Sequence, residues 1–204
     1  MSMTGRGYGA AMSAPLVRRR PESPQERADR RNGEAPTVAA SADAAVQPVD
    51  PRRWAERAIR ALRDTGRTAA VAESLTSGAV AAALGRAPGS GRTFAGGIAP
   101  YARAARSGVL GIDATRVVEA PTAEEMASRT RELFGADVAV SLTGVAGPAR
   151  QDDVEVGTVF VGWATATAVG AERHRFPGGP DDVCRLAACV ALRRLHDLGR
   201  SPGP

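Results

Sequence analysis

The chain has 204 residues, 43% of them apolar and only 4% aromatic, and its formal net charge is +5. This length suits one ordinary domain, and a modest charge on scattered arginines, without interleaved aromatic side chains, argues against a nucleic-acid partner. No apolar run approaches the roughly 20 residues of a membrane span, and none follows the N-terminal arginines as a secretory signal requires. We therefore expect a cytoplasmic protein without a membrane partner.

The N-terminal quarter of the chain differs from the rest in composition. Residues 1–50 are rich in Arg, Pro and Ala and show no sustained hydrophobic periodicity, which predicts a disordered tail. Helical spacing of apolar residues begins at Pro51, so one ordered domain is predicted over residues 51–199.

The first half of that domain predicts helices and strands in alternation. The expected elements are a helix over 51–64 ended by Gly66, a strand over 68–72, a helix to Leu84, a strand over 93–101 and a short helix over 102–108. Gly96 and Gly97, in the middle of the second strand, indicate a bulge or a close backbone approach.

The second half predicts a further helix, three strands and a closing helix. Thr122, with Glu125 three residues later, has the pattern of a capping box, so a helix is expected from Thr122 to Phe134. The remaining elements are a strand over 137–142, a small-residue turn over 143–148, a polar loop over 149–155, an antiparallel pair over 156–164 and 169–176, and a helix opened by Asp181 or Asp182. This order predicts a three-layer α/β/α domain with a mixed sheet.

The cysteines and histidines give no sign of a disulfide or a metal site. Cys184 and Cys189 fall on different faces of one predicted helix and are expected to be reduced and partly buried. His174 and His196 are isolated from each other and from the cysteines, which favours packed or solvated side chains. No metal and no cofactor are expected.

One stretch carries hydroxyl groups into a turn between a strand and a helix: Ala72-Glu73-Ser74-Leu75-Thr76-Ser77-Gly78. Ser and Thr oxygens can accept hydrogen bonds from the free N–H groups of the first helical turn. The same N–H groups suit a phosphate or an oxyanion, and a serine there can be a nucleophile if a base is near. A plain helix N-cap is the commoner use of such a serine. Glu73 either orients Ser74 or binds the neighbouring backbone, and the sequence leaves both open.

Five stretches in the same order together resemble the C-terminal domain of the competence/damage-inducible CinA family, which also occurs alone as nicotinamide-nucleotide amidohydrolase. The stretches are Ala-Glu-Ser-Leu-Thr-Ser-Gly at 72–78, Phe-Ala-Gly-Gly-Ile-Ala-Pro-Tyr at 94–101, Gly-Val-Leu-Gly-Ile at 108–112, Leu-Thr-Gly-Val-Ala-Gly-Pro at 142–148 and Val-Gly-Thr-Val-Phe-Val at 156–161. The resemblance covers about three quarters of the chain, from about Trp54 to Leu198.

The resemblance implies hydrolysis of the carboxamide of nicotinamide mononucleotide (NMN) to nicotinic acid mononucleotide and ammonia. It places Ser74 at the nucleophile position, Tyr101 at a tyrosine associated with the catalytic group, and Arg106 where the family has a lysine proposed to activate the serine. It also implies self-association. The residues expected to bind substrate are Thr76, Gly78, Gly96, Gly97, Thr143, Gly144, Ala146 and Gly147. The glycines would let the backbone approach a nucleotide, although the turn over 143–148 is by itself equally typical of a plain strand end.

Several positions depart from the family pattern. The sequence contains no lysine, and the guanidinium of Arg106 stays protonated at physiological pH and cannot take the serine's proton. Ser77 stands where the family usually has Gly, Gly178-Gly179-Pro180 replaces Gly-Asp-Arg, and residues 149–152 replace a Gly-Gly pair. These departures support an alternative function, a catalytically inactive nucleotide-binding or scaffold protein of the same fold.

Overall fold

The computed structural model describes residues 50–201 with the exception of 114 and 152. The tail that the sequence predicts to be disordered lies outside this part as far as residue 49. In the described part the chain forms a sheet with helices on both faces. In chain order the elements are α1 (Pro51–Asp64), β1 (Ala69–Glu73), α2 (Ala79–Arg86), a 3-10 turn (Ser90–Arg92), β2 (Phe94–Ile98), α3 (Arg103–Leu110), α4 (Ala120–Phe134), β3 (Val138–Gly144), β4 (Thr158–Ala164), β5 (Val169–Arg175) and α5 (Pro180–Arg200).

The sheet is mixed, as the sequence predicts. Its strand order is β2-β1-β3-β4-β5. Strand β1 runs parallel to both β2 and β3, whereas β3, β4 and β5 pair antiparallel in succession. Glu73 pairs with Leu142 at the end of the β1–β3 ladder, so the residues that follow β1 and β3 emerge at one edge of the sheet.

The helices form two layers around that sheet. Helices α1, α2 and α5 pack against one face of the sheet and enclose the larger hydrophobic core, which consists mostly of Ala, Val and Leu side chains. Helix α4 packs against the strands from the other face, where Met126 meets Leu110 of α3 and Ala72 of β1. This arrangement confirms the predicted three-layer α/β/α fold.

The predicted capping box at Thr122 is wrong. Helix α4 begins at Ala120 with Glu119 as its N-cap residue, and Pro121 lies in the first turn, where a missing N–H costs nothing. The Thr122 hydroxyl is buried and donates to the Arg116 carbonyl at 2.9 Å. Helix α5 similarly begins at Pro180, before the expected aspartates.

The glycine pair in β2 lies at a β-bulge and also at a close backbone approach, the two features that the sequence predicts for it. The β1–β2 register shifts between Ala69, which pairs with Phe94, and Ala70, which pairs with Gly96. A methyl group added at Gly97 would lie 2.8 Å from the Val71 side chain, and one at Gly96 would overlap the ring of Phe134. The backbone therefore makes a bulge and a close approach, and the groups that it approaches belong to the protein itself.

Candidate active site

Ser74 lies where β1 leaves the sheet. Its backbone N–H donates to the Leu142 carbonyl of β3 at 3.1 Å, so the serine sits at the carboxyl edge shared by two parallel strands. Its side chain is half-buried. In open α/β sheets, ligands bind at this edge because the loops that follow neighbouring parallel strands meet there.

The turn after Ser74 is capped by a residue that precedes it. The N-cap residue of α2 is Gly78, with φ +100° and no side chain to bond. The Glu73 carboxylate instead accepts hydrogen bonds from the N–H groups of Gly78 at 3.1 Å, Val80 at 3.0 Å and Ala81 at 2.8 Å. The expectation that the turn's hydroxyls cap α2 is therefore wrong, and of the two open roles of Glu73 the structure shows backbone binding. Because these three N–H groups already donate to Glu73, they cannot bind a phosphate or an oxyanion.

Two other N–H groups of the turn remain available. The Ser74 carbonyl accepts the N–H of Ser77 at 3.1 Å, and the Thr76 carbonyl accepts that of Ala79 at 3.0 Å. Within the described residues, the N–H groups of Leu75 and Thr76 donate to no protein acceptor. They are the candidate donors to a developing oxyanion beside Ser74.

Arg106 reaches Ser74 from helix α3. The arginine is only 3% exposed, and its Nη2 donates to Ser74 Oγ at 3.4 Å. In this helix only Arg106 and Leu110 are buried, so the arginine occupies an inward-facing position. The structure thus brings together Ser74 and Arg106, but the guanidinium acts on the serine as a hydrogen-bond donor.

Tyr101 lies at the mouth of the site. It precedes α3 by two residues, is 70% exposed and lines the same cavity as Ser74. Within the described part of the chain, the phenol makes no hydrogen bond to Ser74 or Arg106. The ring is therefore placed to contact a ligand that enters from solvent.

A cavity of about 160 Å³ unites these residues with the turn after β3. Its lining comprises Ser74, Leu75, Tyr101, Gly144, Val145, Ala146, Gly147, Ala149 and Gln151. Five of the residues singled out from the sequence are in this set. Leu75 follows Ser74 in the first turn, Val145 lies inside the predicted turn over 143–148, and Ala149 and Gln151 lie in the polar loop. Sequence reasoning missed these four as site residues because no distinctive chemistry marks them.

Other predicted substrate-binding residues lie outside the cavity lining. Thr143 belongs to β3, and its buried hydroxyl donates to the Val117 carbonyl at 2.6 Å. Thr76 is buried and Gly78 caps α2. Gly96 and Gly97 are required by the packing of β2 against Phe134 and Val71, which gives these glycines a structural reason that needs no nucleotide.

The two cavity glycines are also constrained by the protein. A methyl group at Gly144 would lie 2.7 Å from the Thr158 carbonyl of β4, and one at Gly147 would lie 2.9 Å from the Val156 side chain. Gly147 has φ +107°, which disfavours any other residue. Close packing of the β3–β4 connection therefore explains these glycines, while their backbone still forms a wall of the cavity.

The cysteines and histidines lie in packed surroundings. The half-buried Cys184 donates its thiol to the Leu75 carbonyl at 3.1 Å. His174 stacks on Phe176, and His196 meets Trp54 edge-on. Among the described residues, no three His, Cys, Asp or Glu side chains cluster as metal ligands would. No helix in the same part of the chain is long and apolar enough to span a membrane.

A family model matches nearly all of the described chain. The model for the CinA C-terminal domain aligns with residues 52–198. A putative competence-damage inducible protein of Lacticaseibacillus casei is 38% identical over 157 residues, which cover 72% of this chain and 38% of that protein. A CinA-like protein of Mycolicibacterium vanbaalenii is 39% identical over 138 residues, which cover 64% of this chain and 33% of that protein. The chain therefore spans well under half the length of these curated relatives.

Solved structures share the fold. The crystal structure of a CinA superfamily protein from Klebsiella pneumoniae matches with a TM-score of 0.70 at 28% identity, over 74% of this chain and 98% of that one. A CinA superfamily protein from Escherichia coli matches with the same TM-score at 26% identity, over 74% of this chain and 91% of that one. The mixed sheet and its flanking helices are thus common to this chain and these proteins.

Proposed function

This chain belongs to the CinA C-terminal domain family, and on that premise we propose that it hydrolyses the carboxamide of NMN, giving nicotinic acid mononucleotide and ammonia. The substrate follows from the resemblance of the sequence motifs, and the site from the cavity at Ser74. NMN is then the small-molecule partner. Self-association and a cytoplasmic location, which were expected from the sequence and the resemblance, remain predictions.

The observation that carries the proposal is the environment of Ser74 Oγ. The hydroxyl lines a cavity at the carboxyl edge of the sheet and accepts a hydrogen bond from the buried Arg106 at 3.4 Å. Gly144, Val145, Ala146 and Gly147 form another wall of the cavity. The cavity thus presents a hydroxyl, with a cation bonded to it and free backbone N–H groups beside it, and these are a nucleophile and charge-stabilising groups of the kind used in acyl transfer.

In the proposed reaction, Ser74 Oγ forms a bond to the carboxamide carbon, and the carbonyl oxygen becomes an oxyanion. The N–H groups of Leu75 and Thr76 are the proposed donors to this oxygen. The C–N bond then breaks, the serine's proton leaves on the departing nitrogen as ammonia, and an ester to Ser74 remains. Water cleaves the ester, releasing the carboxylic acid and restoring the hydroxyl.

Arg106 has a defined place in this chemistry. An arginine side chain donates hydrogen bonds and carries a positive charge at physiological pH, but it does not accept a proton. Arg106 is therefore proposed to stabilise negative charge on Ser74 Oγ, and it supplies no general base. Because general-base catalysis is typically worth about 10²–10⁴-fold, the reaction is expected to be slow.

The same contact favours a second candidate function, nucleotide binding without catalysis. A guanidinium that donates to Ser74 Oγ occupies a lone pair of the serine and offers no acceptor for its proton. A protein of this kind would bind NMN in the Ser74 cavity and release no ammonia.

The test is ammonia release from NMN by the purified protein, compared with Ser74→Ala and with Ser107→Ala. Ser107 is exposed on α3 and serves as the matched control. Release that disappears in Ser74→Ala and persists in Ser107→Ala supports the hydrolase. If the wild-type protein binds NMN without releasing ammonia, the non-catalytic function is the correct one, and if NMN does not bind at all, both proposals fail.

A further inference from the structure

Glu73 is the most completely buried carboxylate near the candidate site, with no exposed surface. Its Oε2 accepts the N–H groups of Gly78 and Val80, and its Oε1 accepts that of Ala81, at distances of 2.8–3.1 Å. Hydrogen bonds to a carboxylate are stronger than those between neutral groups, and the α2 dipole favours negative charge at this position. The carboxylate is thus fully engaged with the beginning of α2.

The cap differs from an ordinary helix cap in where it comes from. The N-cap residue, Gly78, contributes no side chain, and the carboxylate comes from the last residue of β1. The chain between them turns back through Ser77 at φ +50° and Gly78 at φ +100°, in a region that non-glycine residues rarely adopt. One side chain therefore joins the two ends of the segment 74–78.

We propose that Glu73 is a positioning residue for Ser74, because its carboxylate closes the turn that presents Ser74 Oγ to Arg106 and to the cavity. The same hydrogen bonds occupy the N–H groups at the α2 N-terminus, so the anionic part of a substrate is bound elsewhere. Leu75 and Thr76 keep their N–H groups available beside the serine. This inference rests on the proposed function, since it assigns the role of Glu73 in the same site.

The test compares Glu73→Gln with Glu125→Gln. Glutamine keeps the shape of the side chain but replaces one acceptor oxygen with a donor, whereas Glu125 is an exposed carboxylate on α4 near Arg129. The first readout is amide hydrogen exchange at Ser74 and Ser77. The Ser74 N–H donates to the Leu142 carbonyl and the Ser77 N–H donates to the Ser74 carbonyl, so neither is hydrogen-bonded to the Glu73 carboxylate. In Glu73→Gln both should exchange about tenfold faster or more, because the turn opens locally, and Glu125→Gln should match the wild type.

The second readout is the kinetics of NMN hydrolysis. A misplaced Ser74 should lower kcat about tenfold or more while KM changes less than about twofold, since the cavity wall formed by residues 144–147 is unchanged. If exchange accelerates only at Gly78, Val80 and Ala81 and kcat is unchanged, Glu73 is a helix cap and the inference is overturned.

Glu73→Asp provides a second variant in case Glu73→Gln does not fold. Aspartate keeps the negative charge but is one methylene shorter, so its carboxylate should not reach the N–H groups of Gly78, Val80 and Ala81 together. Faster exchange at Ser74 and Ser77 is again expected, and unchanged exchange contradicts the inference. If the wild-type protein releases no ammonia from NMN, the proposed function fails, whereas the exchange rates still decide the role of Glu73 in the turn.

Discussion

Arg106 donates from Nη2 to Ser74 Oγ at 3.4 Å across 32 residues of sequence. The contact pairs a half-buried hydroxyl with a cation that is only 3% exposed. Since guanidinium has donors and no acceptor, the serine faces a group that can stabilise its anion and cannot remove its proton.

Replacing Arg106 with lysine should raise the rate of NMN hydrolysis. A lysine amine in a desolvated site loses its proton more readily than arginine, and general-base help is typically worth about 10²–10⁴-fold. Steady-state kinetics of the wild type, Arg106→Lys and the double variant with Ser74→Ala measure the gain. A wild type that is already fast and slows in Arg106→Lys would show that arginine is the adapted group.

Bound NMN should contact the turns after β1 and β3 together. Both turns line one cavity, whereas Gly96 and Gly97 lie against protein side chains. In an NMR titration, amide shifts are expected at Leu75, Val145 and Gly147, with β2 unaffected. Shifts centred on β2 would place the ligand elsewhere.

Gly97→Ala should destabilise the fold. The added methyl group would lie 2.8 Å from Val71 and 2.9 Å from Ala81, and overpacking of this kind typically costs about 1–3 kcal/mol. Gly85→Ala is the matched control, since it lies in α2 with nothing within 4 Å and should stabilise by roughly 0.5–1 kcal/mol. Urea unfolding measures both changes, and equal stability of Gly97→Ala and the wild type would refute the packing explanation.

The two cysteines should react slowly with a thiol reagent at pH 8. Burial raises the pKa of the Cys184 thiol, and it raises the pKa of Cys189 to about 11, so the reactive thiolate is scarce at this pH. Labelling should accelerate as the pH rises towards 11, with the half-buried Cys184 modified before Cys189. Mass spectrometry of the labelled chain gives the order, and rapid labelling of Cys189 at pH 8 would contradict its buried position.

A shortened chain that begins at residue 48 should fold as stably as the full chain. Residues 1–50 have no periodic apolar face to bury, and a start at residue 48 keeps Asp50, whose side chain accepts the Arg52 N–H at 2.9 Å as the N-cap of α1. Thermal melts of the two chains should give the same Tm. A Tm several degrees lower after truncation would show that the tail contributes to the fold.

The type and order of the helices and strands follow from local signals in the amino-acid sequence. Apolar periodicity and terminal glycines are local signals, so α1, the end of α4 at Gly135 and the antiparallel β4–β5 pair could be predicted from them. The start of α4 could not, because Thr122 turns its hydroxyl to Arg116 in a contact that depends on tertiary packing. The bulge in β2 was predictable from the Gly96-Gly97 pair, but the ring of Phe134, which leaves no space for a side chain at Gly96, lies on another element.

Local sequence signals and the family resemblance identify some residues of the candidate site but not the contacts between them. The sequence marks Ser74 as a strand-end serine, and the family resemblance associates it with Tyr101 and Arg106. Two contacts become visible in the folded chain alone: Arg106 donates to Ser74 Oγ, and the Glu73 carboxylate accepts hydrogen bonds from the N–H groups at the start of α2. The sequence could not predict these contacts because a hydrogen bond depends on the distance and the angle between its donor and its acceptor. Here the two groups lie on different helices and strands, and the packing of those elements fixes the distance and the angle.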